Sequence, residues 1–550
     1  MVDSSYGKIN ALIVDDFGNF RATLNNILMS LGIRSVDSVA SGEEALQFCK
    51  VRTYDLILCD QNLGKGKSGQ QVLEELRVTS NPCRESLFIL VSAESSKSII
   101  MAAYDYEPDA YLTKPLNAKV LDQRLSRLFE QHVMLKPTYA ARKKGDLHTA
   151  IDLCTQLIDK GGRNTNVCQK LLGQLYLQNN DVASAEMLYR TVLNQRELEW
   201  AQLGMVKTKI AQGDLLSAQQ WLGEILQRNP QCLKAYDFQV EIHREQGNTE
   251  RMQTVLQTVT DLSPLSILRQ QALGDVALQN DNLLIATTAL RHAVKLGDNS
   301  FLDNAHVHTQ FAQAAIKLST MDEELGRPFL RDALKGVAEI EVKFGESQNI
   351  QIQAKLLETQ LQVCSGNENR AIALMTAAQA ELTKPSGGEL LESRIEMIRV
   401  LRLLGRMDEA EVQLKALLLE NVNNEEALQK LDVLLEEPRS EKNKLMVAEI
   451  NKKGIAAYKN KDFHIAEAAF NTALQKVPHH IGLRLNYIQT LIDTLKINFD
   501  DQISKKIHQS LSKCEASLNK SHVQYPRYHQ LQIVYNDLTK AQKNSELNDE

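Results

Sequence analysis

Along the first 134 residues, short apolar runs alternate with stretches in which apolar positions recur every three or four residues. The runs predict strands over 11–14, 36–40, 56–59, 87–91 and 110–112. Helical patterns fill the spaces between them, as in FRATLNNILMSLG, where Gly32 acts as a stop, and SGEEALQFCK, where Ser41 acts as a cap. Strands and helices in strict alternation give an α/β fold with a five-stranded parallel sheet, doubly wound, with helices on both faces. In such a sheet a functional site lies at the carboxyl ends of the strands.

Beyond Pro137 the strand signal stops and helical periods take over, punctuated by short Gly, Asn and Asp turns at 145–146, 180–181, 213–214, 247–248 and 281–282. The residues four places after each turn's centre, Ala150, Ala185, Ala218, Met252 and Ala286, are separated by 35, 33, 34 and 34 positions. A period near 34 is the mark of a repeated helix pair. Gly173 and Gly274 precede their alignment positions by twelve, Tyr189, Leu222, Leu256 and Leu290 follow by four, and Pro230 and Pro264 follow by twelve. After Ala286 the period loosens, with further in-register turns before Ala371 and Ala410, and it returns sharply at Gly454, Ala466, Phe470, Ala473 and Pro478. The region resembles tetratricopeptide repeats. That resemblance implies an all-α superhelical solenoid whose small residues let paired helices approach closely and whose concave groove holds a protein partner. The expected organisation is therefore an α/β domain over 1–134, a regular array over 137–296, divergent repeats over 297–480, capping helices over 481–540 and a frayed tail over 541–550.

Composition narrows the function classes. The 550 residues are 43% hydrophobic and 24% charged with a net charge of -6, a balance that supports several cores and argues against nucleic-acid binding, as does the lack of any basic stripe. The start of the chain does not read as a signal peptide and no run of about 18 apolar residues occurs, so the sequence predicts a soluble, cytoplasmic protein without membrane insertion. Eight cysteines lie at 49, 59, 83, 154, 168, 232, 364 and 514 without a close pair, which predicts free and mostly buried thiols.

The chemistry gathers at the strand ends. Asp15 and Asp16 close LIVDD, Asp60 closes YDLILCD, Ser92 closes FILVS and Lys114 stands in YLTKP. Moving a phosphoryl group onto a carboxylate requires a divalent cation to offset clustered negative charge, an acceptor oxygen in line, and donors for the phosphoryl oxygens. The three aspartates supply hard oxygen ligands suited to Mg2+. Lys114 supplies a compact cation, and Ser92 a hydroxyl able to move toward a new phosphoryl group. The Lys114-Pro115 step is a candidate cis bond.

The motifs LIVDDF, DLILCD, LVSAE and AYLTKP, in this order and with 44 residues between Asp16 and Asp60 and 54 between Asp60 and Lys114, resemble those of bacterial two-component receiver domains of the CheY type. The resemblance implies that Asp60 is the phosphoacceptor and that Asp15, Asp16 and Asp60, with the backbone carbonyl of Asn62, bind Mg2+. Lys114 would pair with the phosphoryl group, and Ser92 and Tyr111 would be the switch residues. Asn62 and Glu94 form a pair that in chemotaxis-type receivers governs how water reaches the phosphoryl group, which implies a short-lived phosphorylated state. The donor would be a histidine kinase or a phosphotransfer protein. The face made by the helix before the fifth strand, that strand and the helix after it would then change shape.

Other motifs carry less. GKS at 66–68 lacks the opening glycine of a phosphate-binding loop, since Gln61 stands there. The pairs His306 with His308 and His479 with His480 lack partners at metal spacing, and Cys59 should point to the opposite face of its strand from Asp60 and join the core. With no second catalytic constellation, the chain reads as a response regulator, not an enzyme beyond its own phosphoryl transfer. Its output is expected to be protein binding by the array, as adaptor or inhibitor of another signalling protein. The alternative is a constitutive scaffold or phosphate sink whose receiver does not gate binding. A homodimer through the receiver stays open.

Overall fold

The computed structural model describes residues 6–93, 101, 106–345, 347–382, 390–497, 499–515, 518, 520 and 522–549, with side chains as far as residue 542. It divides into two compact units, one ending at Ala314 and the other beginning at Ala315.

The first unit opens with five parallel strands, β1 (Asn10–Val14), β2 (Ser35–Val39), β3 (Leu56–Asp60), β4 (Leu87–Ser92) and β5 (Ala110–Thr113), in the order β2-β1-β3-β4-β5. The alternation within each apolar run explains why both faces are covered. Ala11, Ile13, Leu56, Leu58, Leu87, Ile89 and Val91 pack on one side, with Leu24 and Leu28 of α1 (Gly18–Ser30) and Leu121 and Leu125 of the helix Ala118–Lys143. The intervening Leu12, Val14, Ile57, Cys59, Phe88 and Leu90 pack on the other, with Ala45 and Leu46 of α2 (Gly42–Val51) and Val72, Leu73 and Leu76 of α3 (Gly69–Val78). Ser41 caps α2 as expected, its Oγ accepting from Glu44 N–H.

The helix pairs follow, and their turns explain the period. Gly145, Asn180, Gly213, Gly247 and Asp281, and in the second unit Gly366, Gly405 and Lys461, all have φ between 56° and 78°. Each stands five residues before a fully buried or nearly buried alignment residue, so at all but Lys461 the sequence places Gly, Asn or Asp where the backbone turns left-handed. Asp146, Asp181, Asp214 and Asn248 then cap the next helix, each accepting from the N–H three residues on. In the second unit, Gly454 lets Phe470 cross its helix: a Cβ there would lie 2.6 Å from the ring. Gly454→Ala should therefore lower the stability of that unit by about 1–3 kcal/mol. Gly223→Ala, in a helix with open space around it, should be neutral or slightly stabilising, and thermal melts of the two variants check the contrast.

Three expectations change. Pro137 does not open the array but lies inside the single helix Ala118–Lys143, which joins sheet and first repeat without a linker. Buried Leu135, Thr138 and Ala141 hold the helix through that point, and only the backbone bond to exposed Val133 is given up. The expected boundaries at 134 and 296 do not separate compact units, because the first unit runs from the sheet through the regular array. The divergent stretch holds helix pairs, and in one of them Gly326, four residues after the cap Asp322, is packed so closely that a Cβ would lie 2.3 Å from Ser319 Cα. The segment 541–549 continues the last helix, Tyr525–Asp549, instead of fraying, since Ala, Gln, Lys, Glu and Leu favour helix. Glu94 and the helix expected before β5 lie outside the described residues.

Candidate functional site

Strand register assembles the site. Val14 pairs with Cys59, Asp60 with Val91 and Ser92 with Thr113, so the residues that end or follow β1, β3, β4 and β5 reach the same sheet edge. Backbone bonds from Asp15 N–H to the Val39 carbonyl, Gln61 N–H to Val91 and Lys114 N–H to Ser92 carry the ladder one step past the strands. Asp15, Asp16, Asp60, Ser92 and Lys114 are thereby brought to one place by residues far apart in sequence. The Lys114-Pro115 bond is cis.

Lys114 is the hub. Its Nζ donates to Asp15 Oδ2 at 2.8 Å and to Asp60 Oδ2 at 2.9 Å, and it lies 4.2 Å from the centre of the Phe20 ring. Asp15 is 1% exposed and Asp60 6%. Asp15 is further fixed by Phe17 N–H, which donates to Oδ1 at 2.8 Å, and by Arg21, which donates to its carbonyl. Burial pushes the Asp60 carboxyl above its ordinary value and the Asp15 charge adds to this, against the Lys114 bond that pulls it down. Burial alone would lower the Lys114 ammonium, but its bonds to Asp15 and Asp60 outweigh that and hold it above the usual lysine value.

Asp15, Asp16 and Asp60 can each bring one carboxylate oxygen within 4.8 Å of the others, the one cluster of this kind among the described residues. Two of the three are buried and Asp16 is exposed, so the cluster has a solvent-facing side, and the all-oxygen donor set fits a hard divalent cation that keeps some of its water. Asn62 lies in the loop leaving Asp60, where its Oδ1 accepts from Gly64 N–H at 3.2 Å. Ser92 is buried at the end of β4. Tyr111 is half-buried and packs on the side of the sheet that carries α2 and α3.

The remaining sequence readings have definite places. Cys59 is buried in the core on the α2 and α3 side, and burial pushes its thiol well up. GKS is the start of α3: Ser68 forms a capping box with Gln71. His308 pairs with Asp303 at 2.8 Å and His480 faces Glu437 at 3.6 Å, while His479 is pulled down to about 4 by burial and nearby arginines. All eight cysteines are free. Sequence reading passed over Phe20, Arg21 and Gly69. A Cβ on Gly69 would lie 2.1 Å from the Asp60 carbonyl oxygen, so α3 starts hard against the backbone of the acceptor.

Residues 11–126 match the family described as the response regulator receiver domain. Over 124 residues the chain is 28% identical to the chemotaxis protein CheY-3 of Vibrio cholerae serotype O1, an alignment covering 22% of this chain and 94% of that protein. It is likewise 28% identical over 120 residues to the chemotaxis protein CheY of Pseudomonas aeruginosa, covering 22% of this chain and 95% of the relative. Among solved structures, a tetratricopeptide repeat protein from Parabacteroides merdae aligns with 49% of this chain and 98% of its own at 10% identity, with a TM-score of 0.27.

Proposed function

Because residues 11–126 form a response regulator receiver domain continuous with a helical array, we propose that the chain is a phosphorylation-dependent response regulator acting through protein binding. The observation that carries this is the bridge of Lys114 between Asp15 and Asp60, with Asp16 completing an oxygen cluster. In this reading a carboxylate oxygen of Asp60 attacks the phosphorus of a phosphohistidine on a kinase or phosphotransfer protein. A new P–O bond forms as the P–N bond breaks, and the imidazole leaves. Mg2+, held by Asp15, Asp16 and Asp60 with the carbonyl of Asn62, supplies charge neutralisation for the phosphoryl oxygens. Lys114 exchanges its bond to Asp60 for one to the phosphoryl group, Ser92 Oγ donates to a second phosphoryl oxygen, and Tyr111 repacks. Beyond phosphoryl transfer and its loss from Asp60 we propose no enzymatic activity.

No helix among the described residues is long and apolar enough to cross a membrane, which is consistent with action in the cytoplasm. The proposed output is capture or release of a signalling protein by the array. Affinity recovery of partners with and without Mg2+ and beryllofluoride tests it: a partner recovered in one state only supports gating, whereas equal recovery of all partners supports the scaffold or phosphate-sink alternative. Asp15→Asn and Asp16→Asn should each weaken Mg2+ binding about tenfold in calorimetric titration, since each removes one charged ligand. Unchanged affinity in both would remove the proposed metal site.

A further inference from the structure

Within the first unit, side chains at the start of α3 bond to the array. Gln71 and Glu74, three apart, share a face in the first turns of α3, and Lys67 stands just before its cap Ser68. Lys67 Nζ donates to the Asn299 carbonyl at 2.6 Å and Gln71 Nε2 to the Asp298 carbonyl at 2.9 Å. Glu74 Oε1 accepts from Ser300 Oγ at 2.6 Å and from Leu302 N–H at 3.1 Å. These partners lie in the loop between the helices Leu283–Gly297 and Ala305–Met321. Glu74 is 1% exposed, so a carboxylate is buried between receiver and array with only neutral donors to satisfy it. Elsewhere Met101 packs on the array cluster of Leu233, Val240, Met252 and Leu256.

The same helix is joined to the acceptor. Gly69 abuts the Asp60 carbonyl, and its N–H donates to the Gln61 carbonyl at 3.1 Å. Val72, Leu73 and Leu76 lock the far side of α3 into the sheet core, so displacement of the loop after Asp60 must move the helix as a rod, and Glu74 with it. Lys114 is bonded to the Asp60 carboxylate itself, a pairing that in this reading it exchanges for one to the phosphoryl group. The docked arrangement thus belongs to the unmodified site.

We infer that Glu74 and the 298–302 loop form a latch through which the array reads Asp60, closed in the unmodified chain and loosened by phosphorylation. The signal would then leave the receiver by α3, not only by the face around β5. This rests on Asp60 as the phosphoryl acceptor.

Hydrogen exchange on the full chain, with beryllofluoride binding followed in parallel by fluorine NMR, tests the latch. Saturation with beryllofluoride and Mg2+ should speed exchange of amides 298–305 about tenfold, within the usual range of coupling between sites. Glu74→Ala should give that faster exchange without the ligand, and by reciprocity should bind beryllofluoride more tightly by a similar factor. Ser300→Ala, which leaves the receiver untouched, should do the same, while Glu74→Gln, which keeps an acceptor, should stay nearer the natural chain. Bound beryllofluoride with unchanged exchange at 298–305, or unchanged exchange in both alanine variants, would overturn the latch and leave the reading of Asp60 standing. Failure of the natural chain to bind beryllofluoride at all would overturn both.

Discussion

Asp60→Asn will take up no phosphoryl group from acetyl phosphate under conditions that label the natural chain, a loss of at least ~1,000-fold given the scale of removing a positioned nucleophile. The other acids cannot take its place. Both Asp15 oxygens are occupied, one by Lys114 and one by Phe17 N–H. Asp16 is exposed and lacks the lysine bridge that marks the acceptor. The amide of asparagine is nearly the same shape, so the fold is retained while nucleophilicity is lost. Intact-mass spectrometry reads the result directly, and labelling at the natural level would move the acceptor elsewhere. In the same variant, partner binding that no longer responds to kinase and ATP would connect the chemistry to output, whereas unaltered binding would favour a scaffold.

Much of this was legible because the chain repeats simple physical statements. LIV, LILC and FILV are apolar without alternation, as strands buried on both faces must be, and the five site residues stand where β1, β3, β4 and β5 stop. The array announced itself through Gly, Asn and Asp at the left-handed turn positions. Gly326 escaped notice because its turn, built on the extended Asp322, has no left-handed position. Phe20 and Arg21 were invisible, since nothing in DDFGNFR says which ring or guanidinium folds back over the site. Nothing in the sequence singles out Gln71 and Glu74, and Lys67 stood out only as part of GKS. Polarity shows that a position can bear water, and does not show when another part of the chain replaces that water. The continuous helix through Pro137 was obscured likewise, because tertiary burial of Leu135 and Thr138 overrides a local helix breaker.

Lys114→Met will destabilise the receiver in a pH-dependent way. Methionine keeps the apolar stem that lies against Phe20 and removes only the charge, leaving buried Asp15 and Asp60 to face each other. Breaking a buried pair typically costs about 3–5 kcal/mol, and because Lys114 is 17% exposed we expect about 2 kcal/mol near neutral pH. The sign follows from linkage. Burial already raises the Asp60 carboxyl in the folded chain, so its favourable contribution is complete below the unfolded value of about 3.9 and is lost as pH rises through the folded one. Without the ammonium the folded value rises further, so the deficit of the variant should be small near pH 4 and grow toward neutrality. In the natural chain the raised lysine contributes in the opposite pH range, its stabilisation being present through neutrality and lost only as pH rises through the folded lysine value. Added Mg2+ should recover part of the deficit by replacing the missing positive charge. Exchange protection of the β3 and β4 amides across pH, with and without Mg2+, measures this. A deficit equal at pH 4 and pH 7 would show that Lys114 stabilises the sheet edge by packing on Phe20, and that the carboxylate pair is not held together by its charge.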